Sequence, residues 1–305
     1  KKQAYDNAVQ VAQNIINGTN QPTLNKGEIS RATNNVISTK EALDGNTRLA
    51  NAQRDANQTI TNLPNLNEAQ KDANKLAINN ANTLEQVQQN LQIAQELDNA
   101  MGSLRQSIAN KDQVRSESRY LNEDPAIKAN YDNAVAHADS IIQATQNPEL
   151  NKANIEQATQ AVQLAEQALH GAEKLNQDKN TATNTLDGLT NLTDAQREKL
   201  KEQINNSDSR EDIKQKIEQA KALNNAMEQL KNEVGHKDNV HSSGNYLNED
   251  PDKKKAYDDA IKRAEDIIKN STDPNLNPHD ITNVLNQINQ AKDNLHGDCL
   301  LYTSD

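Results

Sequence analysis

The chain has 305 residues, a net charge of -11 and only 2% aromatic residues. With 33% hydrophobic residues and a mean hydropathy of -0.99, the composition excludes one large core and favours many small ones. The acidic balance disfavours a nucleic-acid partner, which would need a basic face, and no apolar stretch is long enough to cross a bilayer.

The sequence repeats itself every 126 residues. The tetrapeptide that begins at Tyr5 returns at Tyr131 and, with one change, at Tyr257. The hexapeptide Tyr120–Pro125 recurs intact at Tyr246–Pro251. A fixed period without slippage indicates an array of like units, so we expect function to reside in the array rather than in one active site.

A long helix is predicted to begin at Thr83, where Thr83-x-x-Gln86 has the pattern of a capping box. Apolar residues follow at a spacing of three and four as far as Val114, and no proline interrupts them. This predicts a helix of about 30 residues, roughly 45 Å long. The same pattern begins again at Ser209.

The hexapeptide Tyr120–Pro125 is predicted to form a turn, with Asp124 as the cap and Pro125 as the first residue of the next helix. A further helix begins near Asn151, and its apolar seam passes through Gly171 without a change of phase. A glycine here either ends a helix or is tolerated inside one, and the unbroken phase favours a continuous, bent helix. A short helix capped at Thr193 follows.

The segments in one period resemble two known modules. The first resembles the FIVAR module through Tyr131-Asp132-Asn133-Ala134-Val135, Ile141-Ile142, Pro148-x-Leu150-Asn151 and Ala168-Leu169-x-Gly171. The second resembles the GA-type module, named for albumin-binding three-helix bundles, through Leu189-x-x-Leu192-x-x-Ala195-Gln196 and Leu223-Asn224-x-Ala226-Met227. Their alternation is similar to that of the giant cell-wall-associated extracellular-matrix-binding proteins of staphylococci. The resemblance implies an extracellular, cell-wall location and adhesion to host matrix such as fibronectin.

We therefore predict an all-α fold without β-sheet, an elongated string of alternating three-helix bundles joined by long shared helices. The predicted FIVAR-like bundles are 1–45 (partial, without its first helix), 97–171 and 223–297, and the predicted GA-like bundles are 46–108 and 172–234. Residues 298–305, with the lone Cys299, leave the repeat register and are interpreted as an artificial tail.

The leading functional hypothesis is a stiff, monomeric adhesive rod whose weak contacts act together. Albumin binding by the GA-like bundles is the alternative, although residues 47–115 and 173–235 contain no aromatic residue. Carbohydrate contact by the FIVAR-like bundles is a third hypothesis. We expect no enzyme activity, cofactor or metal. His236 and His241 lie five residues apart without a cysteine or carboxylate cluster in ligand register.

The tyrosines are the candidate contact residues. Tyr120 and Tyr246 lie in the repeated turn, where an exposed aromatic could anchor a partner and a buried one could staple the turn to the next helix. Both interpretations remain open at this stage. Tyr5, Tyr131 and Tyr257 fall on the apolar seam and are expected in the core.

Overall fold

The computed structural model describes residues 1–18 and 20–300, and this part of the chain is all-α, without a strand. Of the predicted tail 298–305, residues 301–305 lie outside the described residues. In the first half the helices are α1 Lys2–Ile16, α2 Lys26–Glu41, α3 Gly45–Thr61, α4 Glu68–Asn79, α5 Leu84–Ser107, α6 Lys111–Ser116, α7 Ser118–Leu121, α8 Pro125–Ile142 and α9 Lys152–Gln167. In the second half they are α10 Gly171–Asp187, α11 Asp194–Asn205, α12 Arg210–Gly235, α13 Lys237–His241, α14 Gly244–Leu247, α15 Pro251–Lys269, α16 Pro278–Asp293 and α17 Gly297–Leu300.

Contacts divide the chain into two units, of which the first comprises 1–110 and 131–165. In it α1 pairs with α2, and α3, α4 and α5 pack around a small core. That core contains Ala56, Ile60, Ile78, Ala81, Val87 and Ala94. Apolar residues of α5, α8 and α9 beyond this core are also buried, among them Leu97, Met101, Leu104, Tyr131, Val135, Ile155 and Val162.

The second unit comprises 111–130 and the chain from Glu166 onward, and α12 is its central helix. The N-terminal part of α12 packs with α10 and α11, and α12 also packs against α15 and α16. One continuous apolar core follows it from Leu175 to Leu295 and includes Leu223, Met227 and the fully buried Tyr257. The prediction of a helix that serves two successive bundles is therefore confirmed for α12.

The first copy of this long helix is shorter than predicted. α5 ends at Ser107, and a turn over 108–110 separates it from α6. The Ser107 hydroxyl donates to the Leu104 carbonyl at 2.8 Å, a local bond that competes with continuation of the helix. The corresponding residue of α12 is Glu233, whose carboxylate accepts from Lys292 of α16 at 2.8 Å, and α12 continues to Gly235.

The continuous helix predicted through Gly171 is wrong. α9 ends at Gln167, and α10 begins at Gly171 as a separate helix, as α3 does at Gly45. A Cβ on Gly171 would lie 2.5 Å from the backbone nitrogen of Glu123 and 2.6 Å from the carbonyl oxygen of Arg119. Glycine is required there because another backbone segment touches it, and the apolar phase of a helix carries no information about that contact.

We predict that Gly171→Ala destabilises the chain by about 1–3 kcal/mol, because the added methyl group displaces packed backbone. Gly45→Ala is the matched control, since its Cβ would meet nothing within 4 Å and alanine stabilises a helix by about 0.5–1 kcal/mol. Urea unfolding followed by far-ultraviolet circular dichroism measures both. Equal effects of the two substitutions would contradict the proposed steric cause.

Candidate functional site

The repeated hexapeptide forms a tight turn between two helices in each copy. α7 and α14 are single helical turns, and the next helices begin at Pro125 and Pro251, as predicted for prolines at the first helical position. The turn closes through backbone bonds, from the Glu123 N–H to the Tyr120 carbonyl at 3.1 Å and from the Glu249 N–H to the Tyr246 carbonyl at 3.3 Å. This closure directs the glutamate side chain into the protein.

The two buried glutamates hold the end of each FIVAR-like segment. The Glu123 carboxylate accepts from the N–H of Asp124 at 2.8 Å and from the N–H of His170 at 2.5 Å, and it pairs with Lys174. In the next copy, Glu249 accepts from the N–H groups of Asp250 and His296 and pairs with Lys253. A Cβ on Gly297 would again collide, at 2.7 Å from the Glu249 nitrogen. Each carboxylate therefore fixes the chain just before a glycine that the turn backbone touches.

These contacts favour the ionised form of both glutamates. The N–H groups of Asp250 and His296 lower the pKa of Glu249 to about 2. Burial alone would raise the pKa of Glu123, but its bonds from Lys174 and from the N–H groups of Asp124 and His170 outweigh burial and lower that pKa. The folded pKa of Glu249 thus lies below its unfolded value of about 4.3.

The stabilisation from Glu249 is expected in full above about pH 5 and lost as the pH falls towards 2, because a depressed pKa stabilises only the ionised state. We predict that Glu249→Gln destabilises the chain at pH 7 and that its difference from the unsubstituted chain shrinks between about pH 5 and 2. Urea unfolding at several pH values measures this difference. Glu228→Gln, at an exposed position of α12, serves as the control. A difference for Glu249→Gln that stays constant down to pH 2 would contradict the proposed role.

A second set of bonds joins the first turn to the start of α12. The Asn122 side chain accepts from the backbone N–H of Arg210 at 3.1 Å and donates to the Asp208 carbonyl at 3.0 Å. The Arg210 guanidinium pairs with Asp124 at 2.9 Å and with Asp178 at 2.7 Å. Asp124, predicted to cap α8, directs its carboxylate to Arg210 and Lys174 instead. The sequence reading missed Asn122, Glu123 and Arg210. The intact repetition of the hexapeptide was the available signal for Asn122 and Glu123, whereas Arg210 corresponds to Leu84 in the preceding copy.

The capping-box glutamine of each GA-like segment makes a further bond that the sequence reading missed. The capping boxes at Asn67 and Thr193 are both formed. The side-chain amide of Gln70 then donates to the Glu149 carbonyl at 2.8 Å, and that of Gln196 donates to the Asn275 carbonyl at 2.8 Å. Both glutamines are buried, so each ties a GA-like helix start to the loop before the last FIVAR-like helix.

Tyr120 and Tyr246, the predicted contact residues, are half-buried. The Tyr246 hydroxyl donates to the Asp258 carboxylate at 2.8 Å, and its ring lies 4.5 Å from the ring of His241. The Lys128 ammonium lies 5.3 Å from the centre of the Tyr120 ring. Each tyrosine therefore packs within the turn with part of its ring and leaves part of its surface open.

The neighbouring leucines are more exposed than the tyrosines. Leu121 and Leu247 are 57% and 60% exposed. Beside Leu121 lies a groove of about 620 Å³, lined also by Pro125, Arg210 and Lys214. In the first copy the side chains of the other hexapeptide residues pack, bond or begin a helix, whereas the Leu121 side chain is largely exposed. An exposed apolar residue at the same point of two turns is a candidate for partner contact.

The described residues contain no group of three histidine, cysteine or acidic side chains placed to hold a metal ion. None of the helices in the described ranges is both long and apolar enough to cross a membrane.

Family models match almost the whole repeat. The FIVAR domain matches residues 1–44, 100–170 and 226–296, and the GA module matches residues 46–100 and 172–226. Helices α5 and α12 cross the boundary from a GA match into a FIVAR match, whereas the turn glutamates act at the opposite boundary.

Similar proteins come from Staphylococcus aureus. The extracellular matrix-binding protein ebh of one strain is 45% identical over 98% of this chain, and the match covers 3% of that relative. The extracellular matrix-binding protein EbhA of another strain is also 45% identical over 98% of this chain, which corresponds to 4% of its length. This chain thus spans a small fraction of the curated relatives that it matches. A crystal structure of an EbhA domain is 35% identical, covers 72% of this chain and 87% of that chain, and aligns with a TM-score of 0.65.

Proposed function

We propose that this chain, which belongs to the family of FIVAR and GA repeat proteins that includes the staphylococcal extracellular matrix-binding proteins, is a segment of a cell-wall-associated bacterial adhesin. It serves as a stiff, non-enzymatic spacer that displays weak, repeated contacts for a host matrix protein. The name of the relatives supports matrix binding, and fibronectin is the matrix protein that the family resemblance implies.

The spacer role is supported by the packing at two module boundaries of the second unit, the one inside α12 and the one at Gly171. The core around α12 continues from a GA-like segment into a FIVAR-like one. At the opposite boundary the Glu123 carboxylate pairs with Lys174 of the following module, and the Asn122 side chain accepts from the backbone N–H of Arg210 in that module. A hinge at either boundary would need to break buried contacts.

We therefore expect an elongated molecule in solution. A compact chain of this length would have a radius of gyration of roughly 19 Å. The prediction is a clearly larger radius and a maximum dimension above about 100 Å, since each shared helix alone spans roughly 40 Å. Small-angle X-ray scattering measures both quantities, and a compact profile would contradict the spacer role.

The matrix contact is proposed at the repeated turn. Its single most supportive observation is the exposure of Leu121 and Leu247 at identical positions, beside the part-open rings of Tyr120 and Tyr246. A leucine and part of an aromatic ring bury too little area for a tight complex, so each turn binds weakly. Two or more turns on one chain raise the effective concentration of the second contact, and the array then retains its ligand by avidity.

We predict that the immobilised chain retains fibronectin in surface plasmon resonance and that Leu121→Ser with Leu247→Ser lowers the apparent affinity at least tenfold. Each single substitution lowers it less, because one contact remains. Leu164→Ser is the matched control, since Leu164 is also 57% exposed but is replaced by Gln290 in the next copy. An equal loss with Leu164→Ser, or no loss with the double substitution, would contradict the turn as the contact.

Albumin serves as the second analyte in the same experiment. The first GA-like segment exposes Leu76 and Ile93, where the second has Glu202 and Gln219. Albumin binding that disappears with Leu76→Glu and Ile93→Gln, and that is unaffected by the turn substitutions, would favour the alternative function of the GA-like modules.

A further inference from the structure

A lysine lies beside the exposed leucine of each repeated turn. The Lys128 ammonium donates to the Leu121 carbonyl at 2.6 Å, and the Lys254 ammonium donates to the Leu247 carbonyl at 2.7 Å. Each ammonium also lies over the ring of the tyrosine that precedes the leucine, 5.3 Å from the ring centre in the first copy and 5.7 Å in the second. The same cation is thus held next to the same exposed apolar side chain in both copies.

The charge of these two lysines is not balanced by an acid of the protein. In the part of the chain that the structure describes, no carboxylate lies within ion-pair distance of Lys128 or Lys254. Lys255, the next residue along α15, pairs with Asp259 one helical turn later at 2.7 Å. The absence of a pair at Lys254 therefore needs a local cause.

The cause is a competing set of bonds to Asp258, the acid that lies one helical turn after Lys254. The Asp258 carboxylate accepts from the Tyr246 hydroxyl at 2.8 Å and contacts the His241 ring nitrogen at 2.8 Å. The Lys254 ammonium bonds the Leu247 carbonyl instead. An ammonium has three N–H donors, so donors remain for an acceptor from outside the chain.

We propose that the turn binds a segment of the matrix protein in which an apolar side chain stands next to an acidic one. The apolar side chain covers the leucine, and the carboxylate pairs with Lys128 or Lys254. This inference rests on the proposed matrix contact at the turn and adds the chemistry of the partner.

The charge of the whole chain makes a local cation necessary for such a partner. With a net charge of -11, the chain repels an acidic segment at long range. Only a cation that is fixed at the contact and not already paired gives the segment a favourable electrostatic interaction. One exposed ion pair contributes little, but two turns on one chain combine their contributions.

The test measures surface plasmon resonance of the whole chain over two immobilised ligands. One is fibronectin, and the other is a biotinylated synthetic peptide in which adjacent aspartate and leucine residues alternate with serine and glycine. Lys128→Gln with Lys254→Gln is expected to lower the apparent affinity for both ligands by about threefold to tenfold, because each turn loses an exposed ion pair. The same peptide with lysine in place of aspartate is expected not to bind.

The matched control is Lys152→Gln with Lys255→Gln. It removes the same charge from two exposed lysines that pair with carboxylates away from the turn, and the affinity is expected to stay within about twofold. Lys128→Arg with Lys254→Arg keeps the cation, so it is expected to retain binding within about twofold. A loss with the arginine variant as large as with the glutamine variant would show a structural role of the lysines and overturn the inference. An equal loss with the control would overturn it as well.

The two ligands separate this inference from the proposed function. Fibronectin retention that depends on the turn leucines and on both lysines supports both. Retention that depends on the leucines but not on the lysines keeps the matrix contact and overturns the acidic partner. Lysine-dependent binding of the peptide without retention of fibronectin supports the acidic and apolar partner class and overturns fibronectin as the partner.

Binding of neither ligand overturns both proposals. Heparin, as a third ligand, tests whether the cations serve a polysaccharide. Lysine-dependent binding of heparin that persists in Leu121→Ser with Leu247→Ser, without binding of the peptide, would overturn the inference.

Discussion

The buried glutamate of the repeated turn is the interaction on which the boundary between modules depends. A carboxylate removed from water is costly unless it is paired and hydrogen-bonded. Glu123 satisfies its oxygens with the N–H groups of Asp124 and His170 and with the Lys174 ammonium, and it can do so only when the turn and the end of the last FIVAR-like helix are in place. The same group therefore closes a turn and positions the start of the next module.

The two kinds of boundary are built differently. From GA to FIVAR, one helix continues across the boundary, and a buried glutamine of the capping box bonds the loop 79 residues later. From FIVAR to GA, the helix stops, and a turn 47 residues upstream holds the break through its carboxylate. A continuous helix transmits direction through its own backbone bonds, whereas the break requires long-range contacts to fix it.

Local patterns in the sequence predicted the helices but not the contacts between them. The apolar seams, the capping box at Thr193 and the proline at position 125 depend on residues within a few positions of one another, and the structure has them as expected. The helix break at Gly171 could not be predicted from local patterns, because its cause is contact with the backbone of Glu123, which is distant in the sequence. The sequence also indicated the repeated turn as the candidate contact surface, but it pointed to Tyr120, whereas the more exposed side chain is Leu121. Which side chain of a single helical turn is buried depends on the neighbouring elements that pack against that turn.

Comparison of the two complete turns separates residues that are identical because they contact backbone from residues that are identical but exposed. The buried glutamate and the glycine that it accompanies are the same in both complete turns, but the cation that pairs with the glutamate differs. Lys174 lies in the following module, whereas Lys253 lies one helical turn after Glu249 in its own. A cation can come from several directions because a charge acts over distance, but two N–H donors at hydrogen-bond distance allow only one path for the chain. Contact with backbone thus explains why the glutamate and the glycine are the same residues in both copies. It does not explain why Leu121 and Leu247 are the same, because their side chains are exposed.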